Sequence, residues 1–196
     1  YEKKTKLPFR YVLILTNKCN LACSFCFQER KGRKDAMTTD DWLKLISQLP
    51  DYAHVTLTGG EPLVYKDFRK IFIETNKKFT TNIISNGLLL NEENMQLMTS
   101  FPNFNVLSLS IDDIGNKNRN VKPEHWKRME ENLKILKKNK KNNNSKMLLD
   151  AKTVVLDDNA DQLFEIYKYL VEQLQVDTHS FQILKGSPVQ HADIMF

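Results

Sequence analysis

The 196-residue chain has no cysteine outside residues 19–26, no long apolar run and no basic stripe with interleaved aromatics. Each absence excludes something. Without a fourth cysteine, these residues cannot hold a closed four-cysteine metal site or a second cysteine-ligated cluster. An odd cysteine count also argues against a disulfide framework. The longest apolar run near the N-terminus is Tyr11 to Leu15, too short for a bilayer span or the core of a signal peptide. The expected location is therefore the cytoplasm. The charge balance is 29 basic against 24 acidic residues, a formal net charge of +5. It reads as ordinary solubility, with neither nucleic acid nor membrane as a partner. The chain is 41% hydrophobic and 27% charged, as expected for one globular domain with a sizeable core.

The cysteines that are present sit together in Thr16 to Glu29, T-N-K-C-N-L-A-C-S-F-C-F-Q-E. Cys19, Cys23 and Cys26 form C-x3-C-x2-C, with Phe25 before the last. Three clustered thiolates fit an iron–sulfur cluster in which one iron keeps an open position. A zinc site would need a fourth ligand from His54, His125, His179 or His191, none at finger-like spacing. A disulfide plus one thiol is the other alternative. A second motif follows at Thr58-Gly59-Gly60-Glu61-Pro62-Leu63. Glycines there let the backbone approach a ligand closely, Glu61 can accept a hydrogen bond from a ligand's ammonium, and Pro62 fixes the turn.

Between the motifs, strand and helix alternate. Strands are expected at 10–15, 54–58, 80–84, 106–111, within 147–156, and at 179–184. Helices are expected from Thr38 or Thr39 to Pro50, over 67–78, after an Asn91 cap, from Pro123, and from Asp157 or Asp158. The last should bury Leu163, Ile166, Tyr167, Leu170 and Leu174. Segment 137–146, K-K-N-K-K-N-N-N-S-K, reads as a mobile surface loop. The alternation predicts an α/β fold of parallel strands with right-handed crossovers, a partial (β/α)6 open barrel with outer helices. Chemistry then belongs at the C-terminal strand ends. The cysteine loop, the glycine pair, Ser85-Asn86, Ser110-Ile111-Asp112 and Lys185-Gly186 all fall there. Ser108 and Ser110 share a face and should point into the barrel.

The two motifs together resemble those of the radical S-adenosylmethionine (SAM) superfamily, and the resemblance spans nearly the whole chain. It implies the same partial barrel. It implies that Cys19, Cys23 and Cys26 ligate a [4Fe–4S] cluster whose open iron chelates SAM. Reductive cleavage of SAM then yields a 5′-deoxyadenosyl radical that takes hydrogen from a substrate. By resemblance, Phe25, Gly59, Gly60, Glu61, Pro62, Ser85, Asn86, Ser110 and Asp112 are the SAM contacts, although Asp113 replaces the glycine usual after that aspartate. A one-electron reductant such as flavodoxin or ferredoxin is implied as partner. The substrate is expected to be a peptide, protein or small metabolite. The run C-N-L-x-C-x-(aromatic)-C-(aromatic) is similar to that of members with a C-terminal auxiliary-cluster domain. With Tyr1 first and Phe196 last, 1–196 is expected to be a core domain from a larger parent. The alternative is a non-catalytic iron–sulfur or zinc-binding module that retains the fold.

Overall fold

The computed structural model describes residues 7–26, 35 and 37–183. Among them, β1 (Arg10–Ile14), β2 (His54–Thr58), β3 (Thr80–Ser85), β4 (Phe104–Ser110), β5 (Leu148–Val155) and β6 (Thr178–Ile183) form one sheet in chain order. Every pairing is parallel, so each strand is followed by a crossover. The helices are α1 (Thr39–Gln48), α2 (Phe68–Lys78), α3 (Glu92–Ser100), α4 (Pro123–Asn142) and α5 (Leu163–Glu172). β1 and β6 are not paired with each other among the described residues, so the barrel is open, as expected from the alternation.

Local chemistry explains the boundaries. Thr38 caps α1 in a capping box with Asp41, and Asn91 caps α3 through the Asn94 N–H. Pro123 opens α4 at a position that needs no N–H donor. The sheet's two faces differ. Leu13, Leu57, Ile83, Leu107, Leu109 and Ala151 are buried in the core that also contains Ile46, Phe72, Met98, Met129 and Leu170. Strands buried on both faces usually read as unbroken apolar runs. Here apolar and polar residues alternate, as in Leu107-Ser108-Leu109-Ser110: the leucines enter the core, Ser108 bonds Asp150, and Ser110 lines a cavity on the inner face.

Two expectations are corrected. Residues 137–142 are the last turns of α4, not loop. Buried Leu133 and Leu136 seat that helix on the core, and Lys140 and Lys141 complement the negative end of its dipole. The helix stops where Asn144 takes a left-handed φ of 49°. There the Ser145 N–H bonds the Lys140 carbonyl and the Asn144 N–H bonds that of Lys141, a Schellman arrangement. Tyr167, expected to face inward, is 45% exposed. A 3-10 turn over Ala160–Gln162 delays α5 to Leu163, and Ile166 and Leu170 carry its buried face. Lys185, Gly186 and His191, and the end of the sixth strand at Leu184, lie outside the described residues.

Candidate active site

A cavity of about 750 Å³ opens at the C-terminal strand ends. Its wall includes Cys19, Cys23, Phe25 and Cys26 from the loop after β1, and Gly59, Gly60 and Glu61 after β2. Ser85 and Asn86 contribute from the end of β3, Ser110 from β4, and Lys152 and Val154 from β5. Of the residues singled out in the sequence, Pro62 and Asp112 stand behind this wall.

The glycine pair seats the cysteine loop. The Gly60 N–H donates to the Thr16 carbonyl at 2.8 Å, and the Glu61 N–H donates to that of Lys18 at 2.9 Å. A Cβ on Gly60 would lie 2.3 Å from the Lys18 oxygen, and one on Gly59 (φ +151°) 2.5 Å from that of Thr16. The sequence led us to expect a ligand's close approach at these glycines; the group that fills the space of their missing Cβ atoms is instead the chain's own cysteine loop. Gly60→Ala is expected to cost about 1–3 kcal/mol from the forced contact. Urea denaturation measures this, and reconstituted iron content should fall in parallel.

Glu61 is 1% exposed, and both of its carboxylate oxygens serve the protein itself. Oε1 accepts from Ser85 Oγ (2.8 Å) and the Leu63 N–H (3.1 Å); Oε2 accepts from the Asn86 N–H (2.7 Å). Burial pushes its carboxyl up, against these hydrogen bonds and the Arg119 charge. Glu61 therefore ties the β2 loop to the end of β3, and Pro62 opens the 3-10 turn that it caps. Gln cannot replace it, because either amide orientation points an NH2 at a backbone N–H. Glu61→Gln should lower stability by about 1–3 kcal/mol, the cost of an unsatisfied buried donor. Equal urea midpoints for variant and wild type would refute this.

The cysteine loop is pinned from several sides. Thr16 Oγ1 donates to Asp35 (2.7 Å), and Asn86 Nδ2 donates to Asn20 (2.8 Å). Donors also face the sulfurs. The Leu21 N–H lies 3.4 Å from Cys19 Sγ, Asn86 Nδ2 lies 3.8 Å from the same sulfur, and Arg119 Nη1 lies 3.9 Å from Cys23 Sγ. Cluster-ligating sulfurs accept such N–H bonds. Among the described residues, no three Cys, His, Asp or Glu side chains converge on a single ion. A closed zinc site requires that convergence; a cubane takes each thiolate on a different iron. Three thiols beside a cavity sized for a small molecule fit a cluster with an organic ligand.

Arg119 escaped the sequence reading. It lies in a 3-10 turn (Lys117–Arg119) within a polar, Asn-rich loop, and nothing local distinguishes it from a solvated cation. Its guanidinium packs 5.1 Å from the Phe25 ring centre, and Nε stands 2.6 Å from Asp112 Oδ2, a charge contact with the N–H off line. Asp112 is wholly buried. Its Oδ1 accepts the Val154 N–H at 2.8 Å, and burial pushes its carboxyl up while Arg119 opposes the shift. Asp112 thus acts on the cavity through Arg119 and Val154. Asp113, in place of a glycine, closes the turn by accepting the Lys117 and Asn118 N–H groups at 2.7 Å each. Asn159, also unforeseen, bonds the carbonyls of Asp112 and Val154.

Residues 13–170 match the sequence model of the Radical SAM superfamily. The chain belongs to this superfamily. Among curated radical SAM relatives, it is 35% identical over 114 residues to the sporulation killing factor maturation protein SkfB of Bacillus subtilis (strain 168). That match covers 56% of this chain and 28% of SkfB. It is 30% identical over 115 residues to the S-adenosylmethionine-dependent nucleotide dehydratase of Selenomonas ruminantium, 57% of this chain and 42% of that enzyme. The fold superposes on Streptococcus suis SuiB bound to precursor peptide SuiA with a TM-score of 0.77. The identity there is 18%, over 96% of this chain and 42% of SuiB. The chain thus spans less than half the length of each.

Proposed function

We propose that this chain is the core of a radical SAM enzyme, with Cys19, Cys23 and Cys26 holding a [4Fe–4S] cluster and the adjoining cavity receiving SAM. The observation that carries this reading is the convergence of the three thiols, the glycine pair and Arg119 on one cavity wall. When bound, the cluster and SAM supply one-electron cleavage to a 5′-deoxyadenosyl radical. The protein contributes position and electrostatics. Gly59 and Gly60 hold the cysteine loop against β2, and Glu61 fixes the β2 and β3 loops relative to each other. Ser110 offers a hydroxyl to the ligand. Arg119, held by Asp112 and facing Cys23 and Phe25, is the cation placed for SAM's carboxylate. Phe25 shields the site from water.

Relatives of this core act on different substrates by their names. SuiB is known bound to a precursor peptide and also to SAM, and the Selenomonas enzyme is a nucleotide dehydratase. A hydrogen-bearing carbon of a peptide or small metabolite is the proposed target here, with flavodoxin or ferredoxin as the electron source. No helix among the described residues is long and apolar enough to cross a membrane.

The test is anaerobic reconstitution with iron and sulfide, followed by dithionite and SAM. Formation of 5′-deoxyadenosine, read by mass spectrometry, is the expected result. A protein that takes up zinc in place of a cluster, or that forms a cluster without binding SAM, would favour the non-catalytic module.

A further inference from the structure

The cavity wall carries a second cation, on the barrel's inner face. Lys152 of β5 pairs in register with Ser110 of β4, and the two line the cavity together. Its ammonium stands 3.1 Å from Asp150 Oδ2 and 3.3 Å from Ser180 Oγ. Asp150, two residues earlier on the same face, does not line the cavity, and both of its oxygens are engaged. Oδ1 accepts from Thr178 at 2.7 Å, and Oδ2 accepts from Ser108 at 2.8 Å besides the lysine. An ammonium has three donors, and these two partners leave one for the space above. The Lys152 side chain remains 26% exposed.

Among the described residues, the charged side chains of the wall are Glu61, Arg119 and Lys152. Glu61 is spent on the chain's own donors, and the acids under both cations stand behind the wall. Among the described residues the cavity therefore presents two cations and no available carboxylate. SAM carries one carboxylate, and Arg119, beside the cysteine loop, is positioned for it. Lys152, across the wall on β5, is left over. Lysine recognises oxyanions as a compact point charge.

We infer that Lys152 anchors an oxyanion of the substrate, a carboxylate or a phosphate, and so sets which substrates enter. This inference rests on the radical SAM reading above. Asp150 and Ser180 hold the ammonium in place, and Ser108 and Thr178 fix Asp150.

The test uses the full chain, reconstituted and loaded with SAM, in isothermal titrations with N-acetylglycine, with inorganic phosphate, and with the neutral N-acetylglycinamide. At least one anion should bind and the amide should not; which anion binds identifies the oxyanion. Lys152→Met should weaken that binding by about tenfold or more, the worth of a charge-assisted hydrogen bond. Iron content and SAM affinity should stay within about twofold of wild type, since the charge removed is not the one that meets SAM. Lys152→Arg should retain anion binding. Because Lys152→Met strands a buried Asp150, the pair Asp150→Asn with Lys152→Met is measured beside it. Absence of anion binding in wild type, or unchanged binding in both Met variants, overturns the inference while leaving the radical SAM reading intact. Loss of SAM affinity in the paired variant overturns it differently, by assigning Lys152 to SAM's own carboxylate. Failure of wild type to load cluster and SAM defeats the underlying reading and this inference with it.

Discussion

Arg119→Met is expected to lower fold stability by about 3–5 kcal/mol, the cost of leaving a buried charge without its partner. Asp112 has no exposed surface, and Arg119 is only 13% exposed, so solvent cannot replace the lost guanidinium. The carboxylate must then either stay charged in a dry site or take up a proton there. Urea denaturation gives the loss directly. SAM affinity should fall as well, by about tenfold or more, because a charge-assisted hydrogen bond is worth roughly 1.5–3 kcal/mol. The two effects separate in a second variant. Asp112→Asn with Arg119→Met removes both charges and keeps an acceptor for the Val154 N–H. It should recover most of the stability and none of the SAM affinity. A double variant that regains affinity would remove Arg119 from the binding site. A single variant as stable as wild type would show that Asp112 tolerates burial unaided.

The largest effect on activity is expected from the cysteines. Cys19→Ala, Cys23→Ala or Cys26→Ala should each reduce 5′-deoxyadenosine formation to the level of a protein-free control, with a matching loss of bound iron. The reason is arithmetic as much as chemistry: with three cysteines in the whole chain, no spare thiol exists to take over. Cys23 should differ from its neighbours in one respect. It is buried in a small cluster with Phe25 and Leu156, so its replacement also leaves a cavity. Truncating a buried thiol this small should cost about 1 kcal/mol in the unloaded protein. The half-buried Cys19 and Cys26 should cost less. Circular dichroism before reconstitution distinguishes the two classes. A cysteine variant that still cleaved SAM would end the assignment.

The fold was legible because its signals are local and repeated. Thr38 with Asp41, Asn91, Pro123 and the short β-branched runs each act within a few residues, and the backbone responds to them nearby. Segment 137–146 misled for a physical reason. Its lysines and asparagines have no apolar content, so composition favours loop, yet the seating of Leu133 and Leu136 on the core carries the helix to Asn142. Tyr167 misled because period marks a face but not its width: Ile166 and Leu170 fill the buried stripe of α5, and Tyr167 lies outside it, its ring stacked 6.0 Å from that of His179. At the site, the cysteines, the glycine pair, Ser85, Asn86 and Ser110 were legible as strand-end residues. Arg119, Asn159 and Lys152 were not. Each gains its meaning from a partner 7 to 47 positions away, Asp112 for Arg119 and Asn159, and Ser110 for Lys152, and no local pattern marks such a pair.

By itself the sequence determined the alternating architecture, the two motifs at strand ends and the absence of any thiol beyond three, since these follow from residue identity and spacing. Only the tertiary structure decided the roles. It turned the glycine pair into the seat of the cysteine loop, because their missing Cβ atoms are filled by the backbone of Thr16 and Lys18. It turned Glu61 inward as a clamp between loops, because donors from its own loop (Leu63) and from the end of β3 (Ser85 and Asn86) meet there. It placed Asp112 behind the wall and Arg119 at its surface, because burying a carboxylate requires a partner, and the partner's outer edge is what a ligand meets.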